Sequence, residues 1–381
     1  MRFTIPRALS VVSLLFILMA LTGCGLFFTE DYYSFDKDSP ESELVFSYSS
    51  GFYPSEITLE LSSSYTDDII YYTLDGSPPG PEEYSITTGY NEYDEDPDPP
   101  YEYIQIDPIE ESEIQTYTKR YLYDSPIVIS STTLVRACIY KNGVLPGKEM
   151  INTYFIGEDT NLAIFSLVID PADLFDDMTG IYVEGNNPSN ELRPRSSDDF
   201  PFNFYQGWEK PVHMEFFDEN RDLVIKMDAG ISIFGGASRI APQKSLAIFA
   251  RSKYGPNNIP YAFFGNNLKN NNNEAIINFK SFILRTSGDD WYRTMIRDAV
   301  LQGALDGMDV DRQAYRPAVV FINGEYYGIH NIREKINEDY LAAHYDYVDP
   351  DKVDILESYD SLVSEGSNTE FLALIDYVEN N

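Results

Sequence analysis

Histidine and cysteine are nearly missing from these 381 residues: three histidines (His213, His330, His344) and two cysteines (Cys24, Cys138). The histidines show no HExxH-like spacing, which removes the common zinc-hydrolase arrangement. No Gly-x-Ser-x-Gly elbow exists on which a serine triad could rest. A glycosidase carboxylate pair stays open in so acidic a chain, but nothing marks one out. Basic residues are also scarce, 27 against 62 acids, for a net charge of −35. A surface this negative repels phosphate backbones and anionic headgroups, which argues against a nucleic-acid partner. It suits cations, basic partners or plain solubility. No internal repeat is visible.

What the chain does have is apolar and aromatic content: 43% hydrophobic residues, with 30 tyrosines and 23 phenylalanines, place it among globular proteins with half-buried sheets. It begins with a different kind of segment. Met1–Arg7 carries two positive charges and no acid, Ala8–Gly23 is a 16-residue mostly apolar run, and Leu21-Thr22-Gly23-Cys24 closes it. That is the layout of an export signal, too short for a membrane span of about 20 residues. Leu-x-Gly-Cys resembles the bacterial lipobox, and the resemblance implies cleavage before Cys24 and acylation of its thiol. Residues 1–23 then read as a lipoprotein signal peptide, and 24–50, rich in Ser, Asp, Glu and Tyr, as a tether. The expected location is the bacterial cell envelope, lipid-anchored and facing outward. Cys138 would be left without a disulfide partner, and alternation in Thr133–Tyr140 turns it toward a core.

Fold class reads as α+β and multidomain. From 51 to 158, short strands with period-2 alternation (Ile57–Leu61, Ile69–Thr73, Ile127–Ile129, Thr133–Tyr140, Thr153–Ile156) and the turn Asp75-Gly76-Ser77-Pro78 indicate an antiparallel sandwich. Tyr71-Tyr72-Thr73-Leu74-Asp75-Gly76-Ser77, Pro126-Ile127, Thr133–Ala137 and Thr153-Tyr154-Phe155 resemble the chitobiase/β-hexosaminidase C-terminal-type domain, an immunoglobulin-like accessory sandwich of extracellular enzymes. This copy departs by an insertion, about 80–119, with twelve acids from Glu82 to Glu113 and no base. The stretch reads as a solvated loop, with calcium chelation by Asp94, Asp96 and Asp98 as the lesser alternative, because no EF-hand-like glycine frames them.

The second unit spans 160–381. Leu162–Asp170 is a near-continuous apolar strand, Val212–Phe217 and Leu223–Met227 alternate, and Trp291–Leu305 has helical spacing with Met295, Ala299, Val300 and Leu301 on one stripe. Ala318–Ile322, Asn323-Gly324 and Tyr326–Ile329 make a hairpin, since Asn-Gly favours a two-residue type I′ turn. Asn337 is placed to cap a helix over Glu338–Tyr345, and Phe371–Val378 reads as one more.

Gly230-Ile-Ser-Ile-Phe-Gly235-Gly236-Ala-Ser238-Arg239, Pro242-Gln-Lys244-Ser245, Phe279–Arg285, Asp290-Trp-Tyr-Arg293 with Arg297-Asp298, and Phe321-Ile-Asn323-Gly324 through Glu334 resemble the spore-coat CotH kinase family. Trp208–Asp218 fits the same pattern. The resemblance implies an atypical kinase that uses ATP and a divalent metal, taken as Mg, to phosphorylate serine on secreted proteins. Gly235 and Gly236, with Ser238, would let backbone amides approach a nucleotide. Lys244 would reach its phosphates, Glu334 would hold that lysine as an ion pair, and Arg285, with Arg293, would add phosphate contacts. For each a plain structural role stands beside the functional one: a bulge, a solvent-facing strand lysine, a surface helix charge. The family's Asn-x-Asp and Asp-x-Asp-Phe-Gly-like segments, which supply base and metal carboxylates, would follow the last helix. None precedes Asn381, and Asp289-Asp290 and Asp349-x-Asp351 read as solvated loops. The kinase-like domain is therefore expected to be C-terminally incomplete, with no catalytic or metal residue in this chain and no activity of its own. The competing reading is a non-catalytic surface lipoprotein that binds polysaccharide or protein.

Overall fold

The computed structural model describes residues 43–65, 67–82, 84–88, 113–117, 120–140, 149–189, 202–308, 310–357 and 362–380. The leader 1–23, Cys24 with the first part of the tether, and Asp94, Asp96 and Asp98 of the acidic insertion lie outside them. The described chain is mixed α+β and mostly strand. Among the described residues no helix is long and apolar enough to cross a membrane.

The first eleven strands are β1 (Leu44–Phe46), β2 (Gly51–Tyr53), β3 (Ile57–Leu59), β4 (Leu61–Ser63), β5 (Ile69–Thr73), β6 (Tyr84–Thr88), β7 (Glu113–Tyr117), β8 (Tyr121–Leu122), β9 (Ile127–Ile129), β10 (Thr133–Tyr140) and β11 (Met150–Ile156). Five of them form one sheet, β2-β11-β10-β5-β8, antiparallel apart from the β2–β11 edge; β1–β4, β3–β9 and β6–β7 are separate antiparallel pairs. The single strand expected over Ile57–Leu61 is two, because β3 pairs with β9 while β4 turns to β1. Leu59, Ile129, Val135, Ala137 and Tyr154 fill the core between these layers. Cys138 is a buried free thiol, and that burial pushes it up to about 12.

From Ala163 the chain builds a closed seven-stranded barrel: β12 (Ala163–Val168), β13 (Lys210–Phe217), β14 (Leu223–Phe234), β15 (Ser245–Phe249), β16 (Ser281–Arg285), β17 (Tyr315–Ile322) and β18 (Glu325–Glu334). The spatial order is β12-β13-β14-β15-β16-β18-β17, and the ring shuts through a parallel pairing that sets Ala163 opposite Ala318 and Leu167 opposite Ile322. A barrel this narrow is filled by its own side chains, here Phe165, Met214, Phe216, Ile231, Phe282 and Val320 among others. The β17–β18 hairpin turns on Asn323 (φ 51°) and Gly324 (φ 83°), the two positive φ values a type I′ turn requires.

The described residues after β12 also hold four α-helices and one strand pair: α1 (Pro171–Phe175), α2 (Arg297–Gly303), α3 (Glu338–His344), the hairpin β19 (Ile355–Glu357) with β20 (Leu362–Glu365), and α4 (Thr369–Asn380). The helix expected over Trp291–Leu305 forms only from Arg297. The Asp290 carboxylate takes the Arg297 amide at 3.0 Å and the Thr294 hydroxyl at 2.5 Å, which holds the preceding residues in irregular turns. Val300 and Leu301 are consequently 60% and 62% exposed, so the expected stripe does not pack. The Asn337 cap is present, its side chain accepting from the Tyr340 amide at 3.1 Å. Asn337→Ala is expected to lower stability by about 1 kcal/mol in urea unfolding, the usual worth of such a cap.

The strands on either side of residue 160 share packing. Phe155 of β11 stacks on Phe52 and meets Phe217 and Phe321 of the barrel edge to face, with ring centroids 4.8–5.4 Å apart. Beside this cluster the wholly buried Glu215 of β13 pairs with Lys226 of β14 at 2.8 Å. The Lys226 ammonium also donates to Ile151 O (2.5 Å) and Asn152 Oδ1 (2.7 Å), while Ser50 Oγ donates to Glu215 (2.5 Å). The Thr153 and Ser166 hydroxyls join β11 to β12 at 2.7 Å.

Candidate functional site

The six residues singled out from the sequence do not converge on one point. Gly235 and Gly236 follow β14, Lys244 directly precedes β15, and Phe234 is registered with Ser245, so these share one end of the barrel. Gly235 has φ 116°, where only glycine is comfortable, and a Cβ there would meet Ser238 Oγ at 2.6 Å. The Gly236 position is open, with nothing within 4 Å of its missing Cβ. Arg285 closes β16 at the same end. Glu334 lies at the other end, because Phe282, three residues back along β16, is its partner.

Lys244 is neither a solvent-facing strand lysine nor the partner of Glu334. It is 1% exposed, and its ammonium donates to Arg239 O (2.5 Å) and Ala241 O (3.2 Å) of the loop that follows the glycine pair. Two ring faces cover it, Phe204 at 4.4 Å and Tyr182 at 5.0 Å from Nζ. Burial lowers its pKa to about 7, against a smaller opposing pull from Glu184. The backbone continues the same plug: Lys244 N–H donates to the Tyr327 hydroxyl (2.6 Å), and His330 Nε2 meets Lys244 O at 3.2 Å. His330 is wholly enclosed and its pKa falls to about 4, so the ring is neutral. Gln243 links that ring to Trp291, whose indole N–H donates to Gln243 Oε1 at 2.6 Å.

Glu334 belongs to a different network. Its carboxylate meets His344 Nε2 at 2.7 Å and accepts from the Ala314 amide at 3.0 Å. It lines a hollow of about 250 Å³ with Lys280, Lys335, Asn258 and Tyr340. The ion pair expected between Lys244 and Glu334 is therefore not formed: alternation and register put the two at opposite barrel ends.

Arg285 has company that the sequence reading missed. Ile283 pairs with Arg333 and Arg285 with Asn331, so Arg285 and Arg333 leave neighbouring strands on the outer face of the wall. Both guanidiniums point at one oxygen, Asp298 Oδ2, at 3.6 Å from Arg285 Nε and 3.1 Å from Arg333 Nη2. Arg333 is wholly buried, and its Nε and Nη2, like Arg285 Nε, find no hydrogen-bond acceptor. Desolvation lowers the Arg333 pKa, Asp298 counters it, and Arg285 adds repulsion. Two-residue alternation could have paired Asn331 with Arg333, but only the β16–β18 register brings them to Arg285. Arg293 is exposed, its guanidinium over the Tyr292 ring at 5.0 Å.

Asp290 is also not the solvated acid expected. It is 4% exposed, and the Thr294 hydroxyl with the Arg297 and Thr294 amides holds it down at about 2. Asp349 does sit at the surface, capping a 3₁₀ turn and bridging Lys352 at 2.7 Å. Among the described residues no three His, Cys, Asp or Glu side chains come together in a way that could hold a metal ion.

A family model, CotH kinase protein, matches residues 231–377, from within β14 to the last turns of α4. The chain thus carries a CotH-family domain. No curated protein matches the chain.

Proposed function

We propose that this chain is the nucleotide-binding part of a CotH-type protein kinase of the bacterial cell envelope, exported by its leader and held by a lipid on Cys24. The observation that carries the reading is the family match over 231–377. ATP would supply the phosphoryl group, and serine on a secreted or surface protein would receive it. The strands from 51 to 158 would serve as an immunoglobulin-like accessory module beside the kinase fold.

The residues fit the phosphates better than the metal. Buried guanidinium N–H groups without a well-aligned acceptor, one side chain of them fully buried, favour a phosphate oxyanion on the outer wall of the barrel where β16 meets β18. The described residues offer no carboxylate cluster for Mg, so no metal-dependent step is assigned to them. Thermal unfolding of the full chain with ATP, with and without magnesium, tests the reading. ATP at roughly 100 times its Kd is expected to stabilise by about 2.7 kcal/mol, with adenosine much weaker. No shift with ATP, joined to retention on an insoluble glycan, would instead favour a surface lipoprotein that binds polysaccharide or protein without catalysis.

A further inference from the structure

We propose that Arg285 and Arg333 form a phosphate-oxyanion site on the outer wall of the barrel, that Asp298 fills it in the free protein, and that the terminal phosphates of a nucleotide displace that carboxylate. The inference rests on the nucleotide-binding reading and gives it an address and an internal competitor.

Three observations lead to it. Two guanidiniums, one of them buried, face the same carboxylate oxygen, so Asp298 is shared between two positive charges. Glu334, the acid next to Arg333 in sequence, is hydrogen-bonded to His344 and the Ala314 amide and adds only a weaker attraction to Arg333 than Asp298 does. The second is unmet hydrogen bonding: Arg333 Nε and Nη2 and Arg285 Nε are buried and make no hydrogen bond, Nη2 facing Asp298 Oδ2 at 3.1 Å out of alignment, although buried donors are nearly always satisfied. A tetrahedral phosphate offers several oxygens to a fork of N–H groups, where Asp298 brings a single oxygen within reach of both arginines. Access is the third. The Arg285 and Asp298 side chains are each 34% exposed, so an incoming anion reaches Arg285 first and the carboxylate can swing out into water.

The acidity of the protein sharpens the argument. With a net charge of −35 the surface repels anions at long range, so anion binding here must come from a built local site and not from a general basic field. Asp298 also keeps the two arginines from repelling one another while the site is free, which explains a carboxylate between them.

The test is binding of inorganic tripolyphosphate and of ATP to the full chain by calorimetry, comparing the wild type with Arg285→Gln and Asp298→Asn. Both changes are at part-exposed positions, and unfolding midpoints identify any variant that fails to fold. Arg285→Gln is expected to weaken both ligands roughly 10–100-fold, the worth of a charged hydrogen bond. Asp298→Asn is expected to tighten both by roughly fivefold or more, because the competitor is gone. Tripolyphosphate should also raise the midpoint of Asp298→Asn more than that of the wild type, a readout that survives if the variant is weakened by its unpaired arginines. Binding of neither ligand, or binding that both variants leave unchanged, overturns the site. ATP binding indifferent to both variants would spare the nucleotide reading while ending this one. Equal affinity for ATP and tripolyphosphate, with both variants behaving as expected, supports the oxyanion site and removes the nucleotide from it.

Discussion

Lys244→Met is expected to abolish a rise in stability of roughly 4–5 kcal/mol that the wild type shows between about pH 7 and pH 10.5. The cause is the plug of the barrel mouth. Nζ is enclosed by Phe204 and Tyr182 with two carbonyls as acceptors, and that enclosure drops its pKa from the usual 10.5 to about 7. The sign follows from proton counts. Across that window the unfolded chain keeps the lysine proton while the folded chain has released it, so the unfolded state binds more protons and stability climbs with pH. Below pH 7 both states are protonated and the penalty of burying the charge is present in full. Methionine has a similar shape and no charge. Its curve of unfolding free energy against pH should diverge from the wild type's, with the wild type gaining on the variant as pH rises. Tyrosines titrate in the same range, so the difference between the two proteins is the quantity to read. Two parallel curves would mean that Lys244 reaches solvent. His330 acts in the same direction lower down: with its pKa near 4, stability should fall as pH drops from about 6.5 to 4.

The second large effect is expected where the N-terminal strands meet the barrel. Lys226→Met should cost about 3–5 kcal/mol, because it leaves the wholly buried Glu215 carboxylate without its counter-charge. Glu215 Oε2 already lacks a donor, so the Ser50 hydroxyl on Oε1 would be the carboxylate's remaining partner. The same ammonium holds Ile151 O and Asn152 Oδ1, which ties β11 to the barrel. Removing both charges with Glu215→Leu and Lys226→Met should recover most of the stability, since no buried carboxylate is then left unpaired. Urea unfolding of the two single variants and the double one measures the coupling. A near-zero cost for Lys226→Met would show that water reaches Glu215.

Much of the local structure was legible in the sequence because its causes are local. Asn323-Gly324 specifies a turn through φ alone, and Asn337 caps α3 through one hydrogen bond from an amide three residues on. Cys138 is buried as expected, but alternation puts Val135, Ala137 and Ile139 in the core and leaves Cys138 on the opposite face, against Pro79 O. The barrel was not legible. Its closure depends on a parallel pairing of β12 with β17, strands about 150 residues apart, and no periodicity within either one announces a partner. The helical apolar spacing of Trp291–Leu305 overstates α2, because the Asp290 carboxylate competes for the amides the first turns would need. At the site, the residue types were visible and their neighbours were not. Tyr182 and Phe204, which enclose Lys244, come from segments some 60 and 40 residues upstream. Glu334 looked like a lysine partner on family grounds, yet a short β16 separates them along the barrel. The pairing of Arg333 with Arg285 is not legible in sequence, because alternation says that a side chain leaves the wall without saying which strand lies next to it.

The most direct measurement is an experimentally determined structure of the full chain with a non-hydrolysable ATP analogue. The account predicts terminal phosphate oxygens within hydrogen-bond distance, about 3 Å, of the Arg285 and Arg333 guanidiniums, with the Asp298 side chain turned away. An analogue bound elsewhere, with Asp298 still on both arginines, would contradict it.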